Sequence, residues 1–226
     1  MLVIGNFHHL QLKINPINLE HKEIGGQRFY QTPDGLFPSV TTITGHEKKK
    51  FFAEWRKNNQ AESERVCSRG NNLHSIIEKY LLNEKIDLSK YDSNLGDLFL
   101  SMKPEIDKIN NIRCLEFTLW SKTLEMAGRV DCIARYKGIP SVIDFKASTY
   151  PKKKEDIGNY FCQATAYSLM LQERTGIQIP NIVLLIANEQ GFVQVFQEKV
   201  LNFIKPLKYS IDTYHKEVTN NEFIQE

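Results

Sequence analysis

The stretch "GRVDCIARYKGIPSVIDFKAS", from Gly128 to Ser148, constrains this chain more than any other. Its valines, isoleucines and phenylalanine, interrupted by Lys137-Gly138, predict two strands joined by a turn. Strands this apolar are largely buried, and buried charges are rare without partners. Yet this pair carries Asp131, Asp144 and Lys146. Side chains at i and i+2 share a face of a strand, so Asp144 and Lys146 point one way and Phe145 the other. Asp131, on the partner strand, comes near them across the ladder. An Asp–Lys ion pair accounts for one acid. The second adds negative charge that costs free energy unless a cation balances it. A hard divalent cation does so, and oxygen ligands suit Mg²⁺ or Mn²⁺. Lys146 is then free to contact a phosphate or a nucleophilic water.

Around this hairpin the chain reads as α/β. Upstream, "QRFYQTPDGLFPSVTTIT" predicts a short strand, a turn at Pro33-Asp34-Gly35 and an extended segment. "HEKKKFFAEWRKNNQAE" predicts a helix, and a second covers about Glu62 to Leu82. There Leu73, Ile76, Ile77, Tyr80 and Leu81 recur at helical spacing. Gly70, early in that helix, is expected to permit a close approach. A third helix is expected from Leu95 to Ile109, then strands Ile112 to Trp120, Met126 to Tyr136 and Pro140 to Lys146. A helix from Lys154 to Thr175 ends at Gly176. "NIVLLIANE" and "FVQVFQEK" follow as strands, then a helix from Leu201 to Val218 and a polar tail. The expectation is one compact unit with a helical N-terminal half. Within it, residues 1–68 form a strand-turn and helical substrate-binding part, 69–200 the core, and 201–226 the final helix and tail.

Composition excludes several classes. A net charge of +2 excludes a histone-like coat of charge but not a local basic groove. No apolar run approaches the roughly 18 residues of a membrane span. The N-terminus has neither a secretory signal's apolar stretch nor a transit peptide's arginines. A cytoplasmic protein, of a bacterium or a phage-infected cell, is expected. Cys67, Cys114, Cys132 and Cys162 are scattered with no CxxC pair, so zinc and iron–sulfur sites have no support.

Other residues gather around the hairpin's chemistry. His74 and Glu78, at i and i+4, share a helix face, as do Gln163 and Tyr167. Glu116 in "CLEFTLW" adds an acid in a strand. Lys152, Lys153 and Lys154 follow the Asp144/Lys146 strand closely. Lys48, Lys49 and Lys50, with Phe51, Phe52 and Trp55, combine charges for phosphate with rings for base stacking. Those aromatics are equally readable as a helix's core face. Ser39, Thr41 and Thr42 read either as phosphate contacts or as β-structure and a helix cap.

The ordered pieces "RGNNLHSIIEKYL", "LEFTLW", "GRVDCIARYKGIPSVIDFKAS" and "YFCQATAYSLM" resemble the RecB-type branch of the PD-(D/E)XK nuclease superfamily. With "FPSVTTIT" ahead of the helices and the modest length, the chain is similar to one subgroup, the mitochondrial genome maintenance exonucleases and related phage and bacterial proteins. The resemblance implies a restriction-endonuclease-like core, a central mixed sheet flanked by helices. It implies that His74, Asp131, Asp144 and the carbonyl of Phe145 bind Mg²⁺ or Mn²⁺. Lys146 would orient the attacking water and stabilise phosphate charge. Glu116 would support the site or a second metal, and Gln163 and Tyr167 would brace it. The implied activity is a DNA exonuclease preferring single strands or frayed ends, serving replication, recombination or repair beside other proteins of those processes. A structure-specific endonuclease on the same core and a non-catalytic nucleic-acid-binding module are the alternatives.

Overall fold

The computed structural model describes residues 1–14 and 17–222, with side chains through Val218. Strand β1 (Leu2–Val3) precedes a meander of β2 (His21–Ile24), β3 (Gln27–Thr32) and β4 (Gly35–Pro38). Helices α1 (Val40–Thr44), α2 (Lys49–Asn58) and α3 (Gln60–Leu81) follow. Next come β5 (Ile86–Asp87), α4 (Ser93–Ile106), β6 (Ile109–Ser121), β7 (Met126–Tyr136) and β8 (Ile139–Ser148). Helix α5 (Gly158–Thr175), β9 (Asn181–Asn188), β10 (Val193–Lys199) and α6 (Ile204–Glu222) complete the order.

Five strands form a mixed sheet in the order β10-β9-β8-β7-β6. Neighbours are antiparallel except β8 and β9, which run parallel because α5 carries the chain back between them. Gly176 ends α5 at φ 74°, a left-handed cap that glycine adopts freely. Strand alternation divides the core into two layers. Cys132, Tyr136, Ile143 and Phe145 pack with Leu73, Ile77 and Phe99 of α3 and α4. Ile133, Val142 and Leu184 pack with Phe161, Ala164 and Met170 of α5 on the other face. This is an α/β protein with helices on both faces of a mixed sheet.

The N-terminal half is not wholly helical. β2, β3 and β4 form a separate three-stranded sheet that packs Tyr30 and Phe37 against Trp120 and Ala127. β1 and β5 pair as a second small sheet. "VTTIT" is helical as α1 rather than extended. Ser39 caps it by accepting the Thr42 N–H, and burial of Val40 and Ile43 overrides the weak helix preference of β-branched residues. "HEKKKFFAEWRKNNQAE" is broken at Asn59, whose φ −137° and ψ 50° are not helical. α3 runs unbroken across the 68/69 boundary. Gly70 lies in open space, so no close approach explains it. Gly5, against the Tyr80 carbonyl, and Gly128, beside the site, are glycines that admit one. A Cβ at Gly128 would lie 2.7 Å from the Tyr167 hydroxyl and 3.2 Å from Val40 Cγ2. The last helix continues to Glu222, and the end of the expected tail lies outside the described residues. Among the described residues no helix is long and apolar enough to cross a membrane. The four cysteines are unpaired, with Cys67 exposed and the others buried.

Candidate active site

The site lies where two strands part. β7 and β8 pair from Tyr136↔Ile139 to Cys132↔Ile143. Beyond that point β7 stays with β6 to Met126 and β8 stays with β9 to Ser148. The next position of the shared register holds Asp131 and Asp144, one on each arm of the fork. Parting the strands strips the Phe145 N–H of a backbone acceptor from β7. Asp131 Oδ2 supplies one at 2.9 Å. A buried amide left unpaired would cost about 1–3 kcal/mol, so Asp131 also stabilises the open fork.

Three elements bring further groups to Asp131. His74 reaches over from α3 with its ring edge against Phe145, placing Nδ1 3.6 Å from Asp131 Oδ2 and 3.7 Å from Glu116 Oε1. Glu116 lies on β6 between the pairs Leu115↔Cys132 and Phe117↔Val130. Its φ is 46°, a left-handed conformation rare outside glycine and costing on the order of 1–3 kcal/mol. One donor atom from each of His74, Glu116 and Asp131 lies within 4.8 Å of the others. A hard divalent ion with some tolerance for nitrogen fits this set.

Asp144 stands apart in this state. Lys146 Nζ donates to its Oδ1 at 2.7 Å and lies equally near Oδ2, out of hydrogen-bonding alignment. Oδ2 is thus buried without an aligned hydrogen bond, and its charge is met by the Lys146 ammonium alone. The Lys146 ammonium also rests 5.2 Å above the centre of the Tyr160 ring, at the start of α5.

The electrostatics follow from crowding. Burial pushes the Asp144 carboxyl up to about 6, with Lys146 opposing the shift and Asp131 adding to it. Burial disfavours the Lys146 ammonium, but Asp144 and Asp131 outweigh it and the pKa is raised. His74 is likewise raised: burial opposes its charge, and Asp131 and Glu116 overcome burial. Glu78 is raised by burial and by Glu116. Carboxylates in excess of cations make the cluster a place where positive charge binds.

An open cleft of about 710 Å³ exposes this cluster. His74, Glu78, Glu116, Asp131 and Lys146 line one side, with Gln163 and Tyr167 of α5. Tyr30, Ser39 and Thr41 line the other. Gln163 and Tyr167 are buried, and Tyr167 fills the space left by Gly128. Three contributors escape sequence reasoning. Arg129, inside "GRVD", pairs with Glu116 at 2.8 Å and leaves most of its side chain exposed. Arg28 enters from the meander, and Tyr160 from α5. Arg129 had a signal in its adjacency to Asp131. Arg28 and Tyr160 had none, because only tertiary packing brings them here.

The lysine clusters separate. Lys154 is paired with Glu198, and the backbone of Lys152 exchanges hydrogen bonds with the Gln194 amide. Lys48 donates to the Asp156 carbonyl at 2.7 Å. Lys49 lines a groove beside the cleft, Lys50 is exposed and Trp55 is half-buried. α2 buries none of its residues, so Phe51 and Phe52 are not a core face. Ser39 and Thr42 serve the α1 cap, and Ser39 and Thr41 also line the cleft.

An α/β fold with carboxylates, a histidine and a lysine converging in an open cleft defines a centre able to hold a metal ion. Comparison with known proteins adds a direction. The chain is similar to mitochondrial genome maintenance exonuclease 1 of Homo sapiens, 28% identical over 132 residues. That match covers 52% of this chain and 38% of the human protein. The Mus musculus protein of the same name is 27% identical over 128 residues, covering 51% and 38%. The matches thus span well under half the length of either relative. No protein-family model matches the chain. Among solved structures, Scheffersomyces stipitis Rai1 in complex with (3'-NADP)⁺ and calcium ion is 15% identical, covers 87% of this chain and 50% of that one, and superposes with a TM-score of 0.30.

Proposed function

We propose that the chain is a metal-dependent nuclease of the PD-(D/E)XK type, hydrolysing DNA phosphodiester bonds from free single-stranded or frayed ends. The observation that carries the reading is the convergence of His74, Glu116, Asp131, Asp144 and Lys146 at the fork of β7 and β8. Partial similarity to an exonuclease of genome maintenance supports it. So does a mixed five-stranded sheet flanked by helices, the frame expected of a restriction-endonuclease-like core.

His74, Glu116 and Asp131 would hold Mg²⁺ or Mn²⁺, joined by Asp144 once Lys146 releases its carboxylate. The Phe145 carbonyl is a further donor, since its N–H already faces the fork and an extended residue turns both groups to one side. The chemistry such an ion supplies is Lewis-acid polarisation and easier deprotonation of water. Lys146 exchanges Asp144 for a phosphate oxygen and offsets charge that develops there. Gln163 and Tyr167 hold α5 against the fork. Roles in replication, recombination or repair, beside other proteins of those processes, belong to the same proposal.

The test is digestion of an end-labelled linear single strand and a closed single-stranded circle of the same sequence, with Mg²⁺ or Mn²⁺. Progressive shortening of the linear strand and survival of the circle are expected. Rapid cutting of the circle makes the enzyme an endonuclease. Persistence of both makes the chain a binding module, and full activity in excess EDTA removes the metal from the mechanism.

A further inference from the structure

The cleft does not end at the fork. A second groove of about 370 Å³ adjoins it, and Arg28, Ser39 and Thr41 line both. The far wall of this groove is α2, through Lys49, Phe52 and Arg56. These stand at i, i+3 and i+7, one helix face turned to the groove.

That face has no role in folding. α2 buries none of its residues, and Phe51 and Phe52 are 65% and 43% exposed. Among the described residues no acid pairs with Lys49 or Arg56. Among the described residues the Arg28 guanidinium pairs with Glu23 alone, at 3.5 Å, and both side chains are about half exposed or more. By contrast, Arg65 and Arg69 pair with Glu189, and Lys154 with Glu198. Unpaired cations flanking an exposed ring are what a phosphate backbone with unstacked bases requires.

Resting on the nuclease reading, we infer that this groove is the track of the single strand beyond the reacting phosphate. Arg28 spans the junction, Lys49 and Arg56 take successive phosphates, and Phe52 stacks a base. The substrate thus runs from the fork across the meander to α2.

The test is fluorescence anisotropy of labelled oligothymidylates in EDTA, where nothing is cleaved. Lengths of about 6 and about 20 nucleotides bracket the reach of a small single-strand site. The double variant Lys49→Glu/Arg56→Glu should weaken the longer oligonucleotide about tenfold or more, and the shorter one less. Its salt dependence should fall by a slope of about 1.4, two contacts at roughly 0.7 each for single strands. Phe52→Ala should weaken the longer oligonucleotide about fivefold without changing the slope. Because α2 buries nothing, these variants should keep the wild-type circular dichroism and melting curve. Unchanged affinity and slope in the double variant would overturn the track while the cleavage assay still stands. Normal losses in a protein that cleaves nothing would leave the track and remove the nuclease.

Discussion

The two ends of the β7–β8 hairpin differ in what they ask of the same pair of strands. Near the turn the ladder is closed, and Ile133, Val142 and Ile143 are fully buried between helices. At the other end the ladder opens, Asp131 and Lys146 line a cleft, and Asp144 lies buried behind Lys146. The open end is tolerable because each arm keeps another neighbour, β6 or β9. Parting therefore sacrifices only the bonds the two arms would have shared, and Asp131 recovers one of them through the Phe145 N–H. The buried charge at the fork is compensated by partners, Lys146 for Asp144 and the Phe145 N–H for Asp131.

This contrast predicts that one end governs turnover and the other stability. Lys146→Ala should lower the rate of strand shortening about 10²-fold or more, the effect of removing one charge-stabilising group. Its melting temperature should fall, because buried Asp144 loses its ion-pair partner, so the rate is read per folded molecule. Near-normal rates in the folded variant would make Lys146 a structural ion-pair partner and erase the division.

Ile133→Ala at the closed end should cost about 2–5 kcal/mol, read from the urea midpoint, with the rate per folded molecule retained. Loss of rate without loss of stability would show that the closed end also sets the chemistry.

Gly128→Ala tests the open arm of β7, where Tyr167 packs against it. The added Cβ would lie 2.7 Å from the Tyr167 hydroxyl, so overpacking should cost about 1–3 kcal/mol. Removing that hydroxyl with Tyr167→Phe in the same chain should recover part of the loss. No loss from Gly128→Ala alone would mean that α5 yields freely, and that Tyr167 does not hold the fork.

Much of the frame was legible locally. Alternation in β7 and β8 and helical spacing in α3 depend on neighbours in sequence, so their elements emerged close to their observed bounds. The same logic missed α1, because "VTTIT" has the composition of a strand and becomes helical only when Ser39 caps it and the core buries Val40 and Ile43. It separated α2 from α3 but placed the boundary near Glu62, since nothing in "KNNQAE" announces the break at Asn59. It also chose the wrong glycine, expecting a close approach at Gly70 where Gly128 makes one.

By itself, the sequence determined that an apolar hairpin would carry two acids and a lysine, and that His74 would share a helix face with Glu78. Those facts require a buried charged site whatever the surrounding fold. Only the tertiary structure decided that Glu116, through its left-handed backbone, gathers with His74 and Asp131 while Asp144 stays with Lys146. It alone decided that the meander closes the cleft with Arg28. The reason is physical. Which side chains share a face is a local property of the backbone, but where a ladder stops, and what packs across the gap, depends on contacts between residues distant in the chain.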